Sequence, residues 1–371
     1  MANNVYSRVA KMILDDFILL GKVSPGERLP SIRDLQDHYS VGRSTVWHAL
    51  GALELQGYVT TKRGSGCYVK PQRFERTAQM GNVIGFVGDS SVGALCYQLQ
   101  RGVDWVCEKR DCQLLVSSTH NEYVTEQQQV TRMIQNGCSG IVLSPSPRTR
   151  AQLEGDYLRT LFQDVPIVLI DIAYEEQERT RVVFDNYQAG YDMTEALIKE
   201  GHERIAFMNV PDDYMLISTK ERYMGYCDAM ASAGLSVRDV DLFTVCLDTP
   251  DSQFEDILRQ WKSRSDRYTA IITLHDGVAM AMIAHAKVIG IQIPDELAIA
   301  GFDNYAGTHS LKPTFPTTAP DLFQAGRIAA RLLIEEINSG KRQSSTYLLP
   351  LPVKVRGLGA IRQAVESALE N

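Results

Sequence analysis

The chain has 371 residues, 44% hydrophobic and 22% charged, with a formal net charge of −7 at pH 7. That is too long for one ordinary domain and too apolar for a disordered tail, so two or three domains with full cores are expected. The acidic total excludes a chain that binds nucleic acid over its whole surface.

The charge is unevenly placed. Residues 1–70 hold nine Lys/Arg against six Asp/Glu, a net of +3, which leaves −10 for the remainder. A mildly basic head on an acidic body fits phosphate attraction confined to the head. The amino-terminal run is interrupted by Arg8, Lys11, Asp15 and Asp16 and carries no secretory signal. No apolar run of about 18 residues marks a membrane span, so a cytoplasmic protein with no membrane partner is expected. Seven cysteines, at 67, 96, 107, 112, 138, 227 and 246, form no C-x-x-C pair. Scattered and odd in number, they read as reduced thiols rather than disulfides or zinc ligands. Neither a metal site nor a cofactor is expected.

In residues 1–70, Val5, Val9, Met12, Ile13, Phe17 and Leu20 recur at helical spacing and give a first amphipathic helix, ended by the turn chemistry of Gly21 and Pro25-Gly26. Ile32, Leu35 and Tyr39 give a second helix its buried side. Val46, Ala49, Leu50 and Leu53 do the same for a third, closed by Gly57. Tyr58-Val59-Thr60 and Cys67-Tyr68-Val69 are β-prone, with the Gly-containing tip Arg63-Gly64-Ser65-Gly66 between them. Two helices crossed at a short turn, then a basic-tipped wing, form a winged helix-turn-helix, a device for placing one helix in the DNA major groove.

This stretch resembles the head of the GntR family of bacterial repressors from about Tyr6 to Val69. The residues that carry the likeness are Val23-Ser24-Pro25-Gly26-Glu27-Arg28-Leu29-Pro30-Ser31-Ile32-Arg33, the Arg43-Ser44-Thr45-Val46 segment and the Gly64-x-Gly66 wing. The resemblance implies that Arg33, Arg43 and Thr45 touch operator DNA, and that Gly64 and Gly66 let the wing approach the backbone. The chemistry agrees: Arg makes bidentate contacts to guanine or phosphate, and the hydroxyls of Ser31, Ser44 and Thr45 can reach phosphate oxygens. Lys62 and Arg63 supply wing charge. Trp47, followed by His48, stands where the family usually has Arg or Tyr. Both can meet bases, or Trp47 can pack on a partner or on the body. Arg33 can instead form a surface ion pair with Asp34 or Glu54.

Residues 71–81, opening with Pro71 and ending with Gly81, show neither period and read as a linker. From 82 to 371 short apolar runs alternate with helical patterns. Strands fall at 83–87, 113–116, 140–143, 167–170 and 182–184, and a second series at 205–208, 242–245, 270–273 and 297–300. Near-continuous apolar strands joined by helices mean parallel sheets covered on both faces. The pattern runs twice, so two doubly wound lobes are expected, joined by crossovers near Tyr174–Asn186 and Gly307–Pro320. Ligands of such folds bind where strands end and between lobes.

The body resembles the effector domain of the LacI family, which shares a periplasmic-binding-protein-like fold. The likeness rests on Asn82–Val87, Asp185–Gly190, Gly201-His202-Glu203-Arg204-Ile205-Ala206, Arg222–Tyr226, Ile293–Asn304 and Pro316-Thr317-Thr318. A GntR-type head on this body is similar to sugar repressors of the arabinose type. A single winged helix reads one half-site, so a homodimer is expected, with the body supplying the two-fold contact. The resemblance implies a small effector, a sugar, bound by residues at strand ends, Asp89, Ser90 and Ser91, Asp171, His275 and Asp276, and Asp303, with Ser218 and Arg222 near a helix start. Carboxylates and one Arg converging on a cleft suit polyol hydroxyls. Asp185 with Asn186 reads as a turn or crossover element, and Asp276 can either meet the ligand or simply cap the helix that follows. Leu216 and Ser218 stand where relatives carry larger polar groups, which leaves the effector open.

No G-x-S-x-G, no G-x-G-x-x-G after a strand and no G-x-x-x-x-G-K-[ST] is present, so no catalytic residue is assigned and an enzyme is not expected. A transport receptor would share the body but has no use for the head. A ligand-controlled DNA-binding regulator explains both halves, whether a sugar releases it from DNA or a nucleoside or other metabolite acts as co-repressor.

Overall fold

The computed structural model describes residues 5–19, 22–23, 26–55, 57–62, 64–70, 82–90, 93–174, 178–211, 216–245, 251–305 and 314–357. The expected linker, 71–81, lies outside them, as do Arg63 and Ser91.

In the head, α1 (Val5–Ile13), α2 (Ile32–Tyr39) and α3 (Arg43–Leu55) pack around Val9, Ile13, Leu35, Val46 and Leu53, and an antiparallel hairpin of β1 (Val59–Lys62) and β2 (Gly66–Val69) follows. The first helix departs from a single α-helical period. It widens into a π-helical turn over Leu14–Leu19. Spacing on that face becomes five residues, so Ile18, five after Ile13, is buried at 2% exposure. The α-period read from sequence picks Phe17 instead. Ser31 caps α2 in a reciprocal capping box with Asp34.

The body begins with β3 (Val83–Gly88), α4 (Ala94–Lys109), β4 (Gln113–Ser118), α5 (Tyr123–Gln135), β5 (Gly140–Leu143), α6 (Arg150–Glu154), α7 (Tyr157–Thr160), β6 (Ile167–Ile170) and β7 (Arg181–Phe184). A second lobe follows: α8 (Asn186–Lys199), β8 (Ile205–Asn209), α9 (Ile217–Ser232), β9 (Leu242–Thr244), α10 (Asp251–Ser263), β10 (Ala270–Ile272), α11 (Asp276–Ile289) and β11 (Ala298–Ala300). The chain then passes through β12 (Thr317–Thr318), α12 (Leu322–Ser339), β13 (Thr346–Leu349) and β14 (Val353–Lys354).

The first lobe is built on a six-stranded parallel sheet, order β13-β7-β6-β5-β3-β4. The second has a four-stranded parallel sheet, β11-β10-β8-β9. Runs such as Ile167–Ile170 are buried throughout because helices cover both faces. The last part of the chain returns to the first lobe: α12 packs on α4, and β13 extends the sheet beside β7. The alternation read from sequence stops at residue 300, and β12, α12, β13 and β14 lie beyond it.

Three crossings join the lobes. The first falls at the end of the expected 174–186 stretch: 181–184 still belongs to the first sheet, and Tyr174 is anchored there by its hydroxyl on Ser146 O (2.7 Å). The chain crosses at Asp185, whose carboxylate caps α8 by accepting from Gln188 N. The second runs through β12, where Thr317 and Thr318 still bond Asp276 and Asp303 of the second lobe before α12 returns to the first. The third, which the sequence reading missed, follows β13, and β14 pairs antiparallel with β12 to tie the last two together. The helices α8 and α9 approach at Gly190 and Gly225. A Cβ on Gly190 would lie 2.2 Å from Arg222 O. That approach fixes the backbone that carries Arg222. Among the described residues no helix is long and apolar enough to cross a membrane.

Candidate functional site

Two separate constellations emerge, one on the head and one between the lobes. On the head, α2, the exposed face of α3 and the hairpin wall a groove of about 790 Å³, whose lining includes Arg28, Ser31, Arg33, Arg43, Trp47 and Gly66. Arg33, Arg43 and Ser44 are exposed, Thr45 is half-buried, and Trp47 is 62% exposed. Trp47 meets His48 edge to face at 5.2 Å, and His48 Nδ1 lies 2.7 Å from Ser44 O. Among the described residues no ion pair holds Arg33. Both carboxylates it could pair with are engaged. Asp34 accepts from the backbone and hydroxyl of Ser31, and Glu54 accepts from Thr61 N at 2.6 Å; these bonds hold both acids below the usual carboxylate range. Glu54 thereby pins the wing to α3. The hydroxyl of Ser31 is occupied as the helix cap, so its part in the groove is to fix the entry of α2.

On the wing, Lys62 lies over the Tyr68 ring at 4.7 Å, and the Tyr68 and Ser65 hydroxyls are 2.6 Å apart. Gly64 turns the tip at φ 78°. Gly66 has φ 123°, and a Cβ there would meet Arg28 Nε at 2.5 Å. The glycine therefore makes room for Arg28, which sequence reasoning did not single out although it stands inside the quoted Glu27-Arg28-Leu29-Pro30 run.

Between the lobes, Arg222 on α9 is the hub. Its Nε donates to Asn186 Oδ1 (2.8 Å), Nη1 to Leu274 O (2.9 Å) and Nη2 to Asp303 Oδ1 (3.3 Å), and its guanidinium covers the Phe302 ring at 4.2 Å. Arg222 and Asp303 keep 12% and 25% of their side-chain exposure, so the pair is partly desolvated but still open to a ligand. Asp303 has φ 90° and Asn304 has φ 52°, both in the left-handed region. That backbone costs free energy and is held by Asp303 N on Thr318 Oγ1 (2.9 Å) and Asn304 N on Thr317 Oγ1 (3.1 Å). Asp171, across the cleft at the end of β6, also has φ 68°. Burial, then the like charge of Asp303, pushes its carboxyl up to about 6, with Arg222 opposing.

The remaining expected residues divide. His275 caps α11 with Nδ1 accepting from Gly277 N and stacks on Tyr305 at 5.9 Å; burial pushes its pKa down. Asp276 is wholly buried. It accepts from Thr317 Oγ1 (2.7 Å) and Tyr305 N (2.9 Å), and burial raises it to about 7. Its carboxylate is a latch between α11 and the second crossing, one step behind Asp303, and His275 is the cap. Ser90 bonds Ser118 Oγ at 2.6 Å at the end of β3, beside Asp89. Ser218 is half-buried one turn before Arg222. Sequence reasoning missed Tyr305 and the bracing role of Thr317 and Thr318; only the proximity of Thr317-Thr318 to the Gly301–Asn304 run in a folded crossover could have revealed them. Among the described residues no cluster of three or more His, Cys, Asp or Glu could hold a metal.

A winged helix with an open, cation-lined groove, joined to a two-lobed receptor with a braced polar cleft, defines a DNA-binding transcription regulator. Comparison with known proteins agrees. Residues 83–356 match the model of periplasmic binding proteins and sugar binding domain of LacI family, and residues 5–69 match that of bacterial regulatory proteins, gntR family. The chain belongs to the first of these families and carries a gntR-type head. It is 26% identical over 338 residues to an arabinose metabolism transcriptional repressor of Geobacillus stearothermophilus, covering 90% of this chain and 91% of that one. Its fold is similar to a putative ribose operon repressor from Burkholderia thailandensis (TM-score 0.64, 24% identity, 74% of this chain and 100% of the other). It is also similar to a transcriptional regulator CelR–cellobiose complex (TM-score 0.65, 20% identity, 89% and 100%). These relatives are regulators, and the chain is a regulator rather than an enzyme.

Proposed function

We propose that this chain is a cytoplasmic, homodimeric repressor of carbohydrate-metabolism genes that a neutral sugar releases from its operator. The observation that carries the reading is the Arg222–Asp303 pair of the second lobe facing Asp171 of the first, close enough for Asp171 to feel both charges. Two carboxylates against one guanidinium leave the cleft acidic. Such a site repels an anionic ligand and accepts hydrogen bonds from the hydroxyls of an uncharged polyol. The likeness to a repressor of arabinose metabolism favours a pentose. Asp171, Arg222, His275 and Asp303 meet the sugar, with Asp89, Ser90, Ser91 and Ser218 at the rim; Asp276 shapes the site from behind.

A ligand touching both lobes favours the closed state by its differential affinity, and the three crossings are the hinge. Closure changes the spacing of two heads in a dimer. Arg33, Arg43, Ser44, Thr45, Trp47, His48 and Lys62, with Arg63, would then meet the two half-sites of operator DNA. Supporting the dimer, the edge strand β4 exposes Leu115 and Val116, and α4 beside it exposes Tyr97 and Trp105. Residues 71–81 would serve as linker between a head of 1–70 and a body of 82–371.

Calorimetry with neutral pentoses and hexoses and with their phosphates tests this. Binding of a neutral sugar that is lost in Asp303→Ala supports the reading. Binding of phosphorylated sugars alone, or unchanged affinity in Asp303→Ala, contradicts it.

A further inference from the structure

At the opposite end of β6 from Asp171 lies a second polar cavity, of about 230 Å³, walled by Arg159, Arg179 and Arg342 together with Asp156, Gln163 and Glu178. It sits at the starts of β6, β7 and β13. Since the first-lobe sheet is parallel, the chain coming from the head enters β3 at that same end, two strands from β6, or about 10 Å across the sheet.

Its three guanidiniums are unusual in their partners. Arg179, 4% exposed, donates to the carbonyls of Val165 (2.9 Å), Leu158 (2.8 Å) and Phe162 (2.6 Å). Arg342 donates to the carbonyls of Gln163 and Glu178, and Arg159 to that of Glu154. Among the described residues, none of the three forms an ion pair with a carboxylate. Asp156 is taken by Arg148 (3.3 Å) and Leu158 N (3.1 Å). Glu336 is buried and makes no ion pair with Arg179 or Arg342, although the charges of both act on it. Backbone carbonyls hold these cations in place but do not neutralise them. Burial and the neighbouring charge of Arg342 push Arg179 down to about 10, against the opposing charges of Asp156 and Glu336. Arg342 and Arg159 retain N–H donors beyond those spent on carbonyls.

We propose that this cavity is an anion site that takes one phosphoryl group, supplied by the DNA backbone or by a phosphorylated metabolite. A buried, pre-oriented arginine flanked by two with donors to spare matches the forked geometry that phosphate oxygens accept. The site is independent of the sugar cleft, which lies at the other end of the same strand and has the opposite charge balance.

Full-length protein is tested in two ways, comparing wild type with Arg159→Gln/Arg342→Gln and with Arg159→Gln alone, which leaves the carbonyl contacts of Arg179 and Arg342 intact. In the first, thermal unfolding is followed with and without inorganic phosphate at about 10 mM and matched ionic strength, where a rise of about 2–4 °C in wild type, lost in the double variant, is expected for a free phosphoryl ligand. In the second, operator affinity is measured against salt concentration. A double variant whose log–log slope is shallower by about one identifies a backbone phosphate as the occupant. A phosphate-induced rise common to wild type and both variants, or no rise together with an unchanged slope, overturns the proposal.

Discussion

The two recognition surfaces are built on opposite terms. On the head, Arg33, Arg43 and Trp47 stand exposed on one short, locally folded segment, and their supports, Ser31–Asp34 and Glu54–Thr61, are neighbours in sequence. Between the lobes, Asp171, Arg222, Asp276 and Asp303 come from distant parts of the chain, are largely desolvated, and three positions there have left-handed backbone. An exposed cationic surface binds a polyanion through contacts that each add a modest amount. A desolvated cleft makes each group depend on the others, because a charge left without its partner keeps its desolvation cost.

That contrast predicts unequal damage from similar changes. The largest effect belongs to Arg222→Ala, which strips Asn186, Leu274 O and Asp303 of one shared donor. Effector affinity should fall by about 2–5 kcal/mol, and calorimetry should show it with operator affinity preserved. A loss below tenfold would mean that the cleft is not cross-braced. Arg43→Ala on the open surface should cost about 1–3 kcal/mol of operator affinity in a gel shift, with sugar binding untouched. Smaller still, Ser31→Ala should lower stability by about 1 kcal/mol through loss of the helix cap, read as an earlier denaturant midpoint.

Protonation sharpens the same comparison, because hydrogen bonds lower Asp34 and Glu54 on the head while burial raises Asp171 and Asp276 in the cleft. The carboxyls of Asp171 and Asp276 are pushed from 3.8 to about 6 and about 7. The folded state therefore holds these protons more tightly than the unfolded chain. Their contribution to stability is complete below about pH 4 and is lost as pH rises through 6 and 7. Sugar affinity should move the other way, rising through about pH 6 as Asp171 ionises and becomes a full acceptor. Thermal unfolding of the free protein and calorimetry across pH 5–8 should show opposite slopes, and Asp171→Asn should flatten the affinity slope while leaving the Asp276 part of the stability slope; parallel slopes would remove Asp171 from the site.

How much was legible in the sequence follows from the same difference. The winged helix could be read almost residue by residue, since capping, turn glycines and helical period are local. The π turn was the exception, because a five-residue spacing is rare and one shifted residue leaves the pattern intact. The two sheets were legible from buried apolar runs. The third crossing and β13 were not, because β13 exposes Tyr347 and Leu348 and carries no alternating or fully buried signature. In the cleft, residue types at strand ends could be named, but their division of labour could not. Whether Asp276 faces ligand or latches Thr317 and Tyr305 depends on a fold that brings 276, 305 and 317 together. Arg28 was invisible as part of the groove until Gly66 was seen to make room for it.

The central claim is that the head and the cleft are coupled through lobe closure, with the sugar and the operator favouring opposite states. The most direct measurement is calorimetric sugar affinity of the full-length protein with and without saturating operator DNA. Reciprocity predicts weaker sugar binding on DNA by the factor through which sugar weakens operator binding, typically about 5–150-fold. Equal affinities would contradict the coupling, and tighter binding on DNA would make the sugar a co-repressor.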